Sequence, residues 1–164
     1  MGRAVRLTYE ALRARVVKAL HEHGFTDITE SDLGVFYSSG PERARPIDLA
    51  ERCHMTKQAM NYVLSKMQES GYLERRTDGD SDNRLVHLTP RGWKVLGLIR
   101  HTIDAVEGEW RKKVGRQRFE SYLEVMEEII LAEARAHEND APGTIVQLRR
   151  RRPQKPPARR LRRA

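Results

Sequence analysis

The stretch TKQAMNYVLSKMQESGYLERR, residues 56–76, decides the fold. Met60, Val63, Leu64 and Met67 recur at the helical period of about 3.6 residues and form an apolar stripe that must face a core. The opposite face carries Lys57, Gln58, Asn61, Tyr62 and Ser65. A face that is only solvated is usually a mixture of Glu and Lys. This one offers amide, hydroxyl, phenol and ammonium groups, which pair with base edges and phosphates. Thr56 stands at the N-cap position, and Gly71 where a helix ends in the left-handed conformation.

Upstream, Pro46 opens PIDLAERC, a helix expected to bury Leu49, Ala50 and Cys53. Only His54, Met55 and Thr56 separate it from the next helix, the tight turn of a helix-turn-helix. Before it, Thr29 to Asp32 (TESD) reads as a capping box opening a short helix through Leu33, Phe36 and Tyr37, which stops at Gly40. The first helix carries Tyr9, Leu12, Val16, Ala19 and Leu20 and ends at Gly24.

Downstream of Gly71 the period shortens. YLERR and RLVHLT alternate and are β-rich, and TDGDSDN between them is almost all turn formers, so a β-hairpin is expected. Thr89-Pro90 then opens a long helix through Val95, Leu96, Ile99, Ile103, Val106 and Trp110, broken at Gly115. A last helix carries Phe119, Tyr122, Leu123, Met126, Ile129 and Ile130. The expected fold is mainly α with a small β-hairpin wing: a winged helix-turn-helix lobe at about 41–92, plus long terminal helices. Those helices carry more apolar surface than one lobe covers. A symmetric dimer accommodates it, with Leu12, Val16, Phe119, Leu123, Met126 and Ile130 as expected interface residues.

Lys and Arg outnumber Asp and Glu 31 to 23. Nine of the 31 fall in residues 141–164, which hold no Asp or Glu, leaving 22 basic against 23 acidic side chains in residues 1–140. The basic character thus belongs to the end of the chain, which also holds four of the seven prolines and reads as a disordered arm. A nearly neutral body gives no charge argument for nucleic-acid binding, which must rest on placement. No apolar run approaches a membrane span, and MGRAVRLTYE lacks the apolar centre of a signal peptide. The single cysteine excludes an internal disulfide framework, and a cytoplasmic, nucleoid-associated location is expected.

The landmarks PIDLAERCHMTKQAMNYVLSKMQESGYLERR and DNRLVHLTPRGWKVL resemble the MarR family of bacterial transcription regulators. The resemblance covers roughly residues 33–96 well and the flanking helices by arrangement. It implies a homodimer on double-stranded DNA, with the second motif helix in the major groove and each wing in a neighbouring minor groove. It also implies a sequence-specific repressor on a palindromic operator, released in many members by a small aromatic molecule or by cysteine oxidation. The DNA-contacting set is then Thr56, Lys57, Gln58, Asn61, Tyr62 and Ser65 of the helix, with Asp82 and Arg84 of the wing. Relatives often carry arginine at the position of Tyr62. Asp82-Asn83-Arg84 matches the family's D-x-R, about two residues closer to the following strand than in many members. The family's effector pocket lies where the dimer helices meet the winged lobe, which nominates Tyr9, Phe36, Tyr37 and Trp93.

Competing readings are weaker. Asp78, Asp80 and Asp82 fit the first three ligand positions of a calcium loop, but Asn83 stands where the loop needs Gly and Thr89 where it needs Glu. Cys53 on the packed side of its helix favours an inert thiol over a sensor, and His54 suits a turn position with positive φ. His21 and His23, two apart on a helix, point to different faces and make a poor zinc pair. No G-x-S-x-G, P-loop, dinucleotide fingerprint or H-E-x-x-H occurs, so neither an enzyme nor a cofactor is expected. Two other readings stay open: an architectural protein that binds DNA indifferently through its basic arm, and an interaction module that has lost DNA reading.

Overall fold

A computed structural model describes residues 2–38, 42–77 and 84–140. The helices are α1 (Gly2–Glu22), α2 (Glu30–Ser38), α3 (Pro46–Arg52), α4 (Lys57–Glu69), α5 (Pro90–Val114) and α6 (Arg116–Asp140). The strands are β1 (Glu42–Ala44), β2 (Leu73–Thr77) and β3 (Arg84–Leu88). Residues 141–164 and residues 78–83, which hold the calcium-like pattern and Asp82, lie outside the described residues.

The helix ends form where the local chemistry demands. Thr56 and Thr89 are extended N-caps whose hydroxyls accept from the amides of Ala59 and Gly92, each at 3.1 Å. Each such cap stabilises its helix by about 1 kcal/mol. After α4, Gly71 takes φ +72°, and the Gly71 and Tyr72 amides return to the carbonyls of Gln68 and Met67 at 3.0 and 2.9 Å. That closes the last turn and redirects the chain into β2.

The core gathers one face from almost every element. Met60, Val63, Leu64 and Met67 of α4 are all buried, against Leu33 and Phe36 of α2, Leu49 of α3, and Val95 and Ile99 of α5. Removing such side chains from water stabilises by roughly 1.5–3 kcal/mol each. The core therefore fixes which way α4 faces.

The expected hairpin is present as β2 and β3, and Glu42–Ala44 adds a third antiparallel strand on the edge of β3 opposite β2, in the order β1-β3-β2. Two expectations need correction. Cys53 is half-buried at the C-cap of α3 rather than packed away. Val16 and Phe119 are 0% and 5% exposed within the single chain, so the core and the α5–α6 joint already cover these two expected interface residues. At that joint Arg111 donates to Glu120 at 2.8 Å and lies 4.9 Å over the Phe119 ring.

Candidate nucleic-acid interface and adjoining cleft

The turn between α3 and α4 is built on one unusual residue. His54 has φ +50°, the one positive φ outside glycine among the described residues, in the region histidine tolerates better than most. Around it the Met55 amide returns to the Ala50 carbonyl at 2.8 Å. This closes the corner just before the exposed N-terminus of α4, and a helix N-terminus attracts phosphate.

Thr56, Lys57, Gln58, Asn61, Tyr62 and Ser65 are all exposed, Tyr62 at 75%. An aromatic ring that bare, on a helix whose other face is fully packed, is available for contact rather than used in folding. Arg84 is the first residue of β3, opposite Thr77, at the end of the wing where the turn begins.

The sequence reading did not include Arg75. Alternation along β2 puts Leu73 and Arg75 on the same side, and the Arg75 guanidinium donates to the Asn61 carbonyl at 3.2 Å and the Ser65 hydroxyl at 3.3 Å. The base of the wing is thereby tied to the exposed polar face of α4. The signal was present, since period-2 alternation from buried Leu73 points Arg75 inward.

Beside this lobe lies a cleft of about 740 Å³, within the range of small-molecule sites. Tyr9, Leu12 and Arg13 of α1, Glu30, Ser31, Gly34 and Tyr37 of α2, Arg52, Cys53 and Met55 around the turn, and Ile103 of α5 form its walls. Arg13 pairs with Glu30 at 2.9 Å and lies 5.7 Å over the Tyr9 ring. Burial pushes the Tyr37 phenol up to about 12, with Tyr9 adding to the shift and Arg13 opposing it. At any physiological pH Tyr37 is a neutral hydroxyl that can donate a hydrogen bond.

Of the four residues nominated for a pocket, Tyr9 and Tyr37 meet in this cleft. Phe36 turns into the core, edge-on to Tyr72 at 6.4 Å. Trp93 is 40% exposed and does not line the cleft. Leu12, expected at an interface, is a cleft wall. His21 and His23 approach the carbonyls of Ile28 and Ala19 at 3.4 and 2.8 Å. Among the described residues no three His, Cys, Asp or Glu are placed to hold a metal, and no helix is long and apolar enough to cross a membrane.

Comparison with known proteins bears on this geometry. Residues 33–82 match the MarR family. A curated relative, the uncharacterized HTH-type transcriptional regulator YkoM of Bacillus subtilis (strain 168), is 28% identical over 93 residues. The match spans 56% of this chain and 58% of that protein. The fold is that of the MarR family transcription regulator SP03579, with a TM-score of 0.65 at 22% identity, covering 83% of this chain and 89% of that one. The Mycobacterium tuberculosis MarR family protein Rv2887, in complex with salicylic acid, superposes with a TM-score of 0.59 at 22% identity, over 79% of this chain and 95% of that one. The fold is thus one found in transcription regulators. The lobe at residues 33–82 matches the MarR family, and the surrounding helices share the fold of MarR family structures.

Proposed function

We propose that the protein is a sequence-specific repressor that binds a palindromic operator as a homodimer. The observation that carries this reading is the exposed polar face of α4, with Lys57, Gln58, Asn61 and Tyr62 unburied on a helix otherwise packed. In this reading α4 enters the major groove. Gln58 and Asn61 pair with adenine edges, while Lys57 and the first amides of α4 hold phosphates. Arg84 works in the adjacent minor groove, and two such lobes one helical turn apart require a two-fold site.

The cleft suits a small aromatic effector bearing an acid group. Arg52 and Arg13, the latter paired with the cleft's Glu30, supply cationic groups, Tyr9 and Tyr37 supply rings and hydroxyls, and Met55 and Ile103 supply apolar wall. The similar structure of Rv2887 is a complex with salicylic acid, a molecule of that chemistry.

Selection of bound duplexes from a random pool tests the reading. It requires a palindromic motif, and Asn61→Ala must relax one position of each half-site at a cost of roughly 1–3 kcal/mol. Recovery of unrelated sequences would favour an architectural protein acting through its basic segment.

A further inference from the structure

Asp32 is 2% exposed, the one buried charged side chain among the described residues. Its Oδ2 accepts from the Thr29 amide and the Thr29 hydroxyl, both at 2.7 Å, and from Lys66 Nζ at 2.8 Å. Lys66 Nζ also reaches the Thr29 hydroxyl at 3.4 Å, while Oδ1 of Asp32 is buried with no hydrogen-bond partner. The bond from the Thr29 amide is half of a capping box, but a cap needs neither burial nor a lysine from another helix. The Lys66 side chain stays 35% exposed while the carboxylate is buried, and an ion pair that desolvates a carboxylate is a poor stabiliser, because the desolvation offsets much of the attraction. The best-attested use of such pairs is to select one arrangement among several of similar energy.

The helix faces say which arrangement is selected. Lys66 leaves α4 immediately after Ser65 and one turn beyond Tyr62, at the edge of the reading face. Otherwise α2 and α4 meet through apolar burial, with Leu33, Val35 and Phe36 of α2 in the same buried core as the α4 stripe. Such burial is non-directional and tolerates a small roll or slide of one helix on the other. A charge-assisted bond of 2.8 Å does not.

We propose that Asp32 and Lys66 are a positioning pair for the reading helix: touching no DNA, they fix the roll of α4 on α2 and so the aim of Gln58 and Asn61. This rests on the DNA-reading function proposed above. The test uses full-length Asp32→Asn, Lys66→Met, Lys66→Arg and the double Asp32→Asn/Lys66→Met variant. Affinity for the pool-selected duplex and for a random duplex is measured across a salt series, beside hydrogen exchange of the α4 amides. Asp32→Asn and Lys66→Met should each lower the selected-to-random ratio about tenfold, with the double variant no worse than either, because the two act as one unit. Lys66→Arg should retain most of the ratio, and the salt slope should not change. An unchanged ratio in both single variants overturns the proposal. So does a slope flattened by about one in Lys66→Met alone, which would make Lys66 a phosphate contact. Should Asp32→Asn fail to fold, Lys66→Met carries the test, since it leaves the Thr29–Asp32 cap intact. A wild type without preference between the duplexes defeats the sequence-reading function instead. The pair is then judged by exchange alone: faster α4 exchange in the variants supports it, and unaltered exchange overturns it.

Discussion

Gly92 and Tyr72 meet backbone to backbone: a Cβ on residue 92 would stand 2.0 Å from the Tyr72 carbonyl oxygen. That oxygen accepts from the Thr89 amide at 3.1 Å, and the Thr89 hydroxyl donates to the Gly71 carbonyl at 2.6 Å. The end of α4, the start of β2 and the start of α5 are thus joined within a few residues. Any side chain at 92 must separate them. Alanine for glycine in a helix ordinarily gains up to about 1 kcal/mol. Here the overlap is with backbone that cannot swing away, and overpacking costs typically 1–3 kcal/mol and occasionally more. Gly92→Ala should therefore lower the urea midpoint by the equivalent of about 2 kcal/mol. A variant as stable as the wild type would contradict the close approach.

The same junction makes stability depend on acid. Asp27 accepts from the Tyr72 hydroxyl and lies 3.7 Å from Arg91, whose guanidinium donates to that hydroxyl at 2.9 Å. Burial alone would raise the Asp27 carboxyl, but the Tyr72 hydroxyl, further hydrogen bonds and the Arg91 charge outweigh it and hold it below the ordinary aspartate range. A carboxyl lowered on folding stabilises above its unfolded pKa, near about 4, and the stabilisation is lost as pH falls through the lower folded value. Asp27→Asn should accordingly be less stable than the wild type at neutral pH. The gap should close as urea unfolding is repeated at successively lower pH. A gap that stays constant with pH would assign the effect to shape rather than charge.

The dimer expectation now points to specific residues. Along α6, Tyr122, Val125, Ile129 and Ile130 are 42%, 51%, 38% and 40% exposed in the single chain, so they, rather than Val16 and Phe119, are the apolar surface in need of a cover. Leu123 and Met126 are half-buried between these two sets. The wild type should sediment at about twice the chain mass of 19.0 kDa at micromolar concentration. Val125→Glu with Ile129→Glu buries unpaired charge in that interface, at a cost of several kcal/mol, and should give a monomer. A wild-type monomer, or a double variant still dimeric, would remove α6 from the interface.

How far the sequence could be read follows from where each signal resides. Thr56, Thr89, Gly71 and His54 act on their own few residues, so their roles could be read directly, as could the two faces of α4. Strand β1 could not: Glu42–Ala44 is three residues long and has no alternation to see, and it exists only by pairing with β3, some forty residues away. In α2 the uncertainty was rotational. Phe36 and Tyr37 are neighbours on a nine-residue helix, and only packing decides that the first enters the core and the second the cleft. The apolar stripes of α1 and α6 announced that they are covered, but not whether by this chain or another. Arg75 and the Asp32–Lys66 bond are side chains reaching between elements, which periodicity within one element does not encode.

The segment 141–164 lies outside the described residues and is the part least explained by the family. Nine cations without an anion cannot form a core, but beside a duplex they can displace counterions from several phosphates per chain, and a dimer doubles that number. Phosphate contacts carry no sequence information, so such an arm raises affinity for operator and random DNA together. A segment that only keeps the protein soluble would alter neither. Truncation after Asn139 separates these roles when binding to both duplexes is followed from low to physiological salt. If the arm binds, the truncated protein gives a distinctly flatter line of log K against log salt, while its preference for the operator is retained. On the proposed reading the operator preference belongs to α4 in the body, and removing the arm leaves that helix untouched. An unchanged slope would exclude the arm from DNA binding, and loss of preference together with affinity would move sequence reading from α4 to the arm.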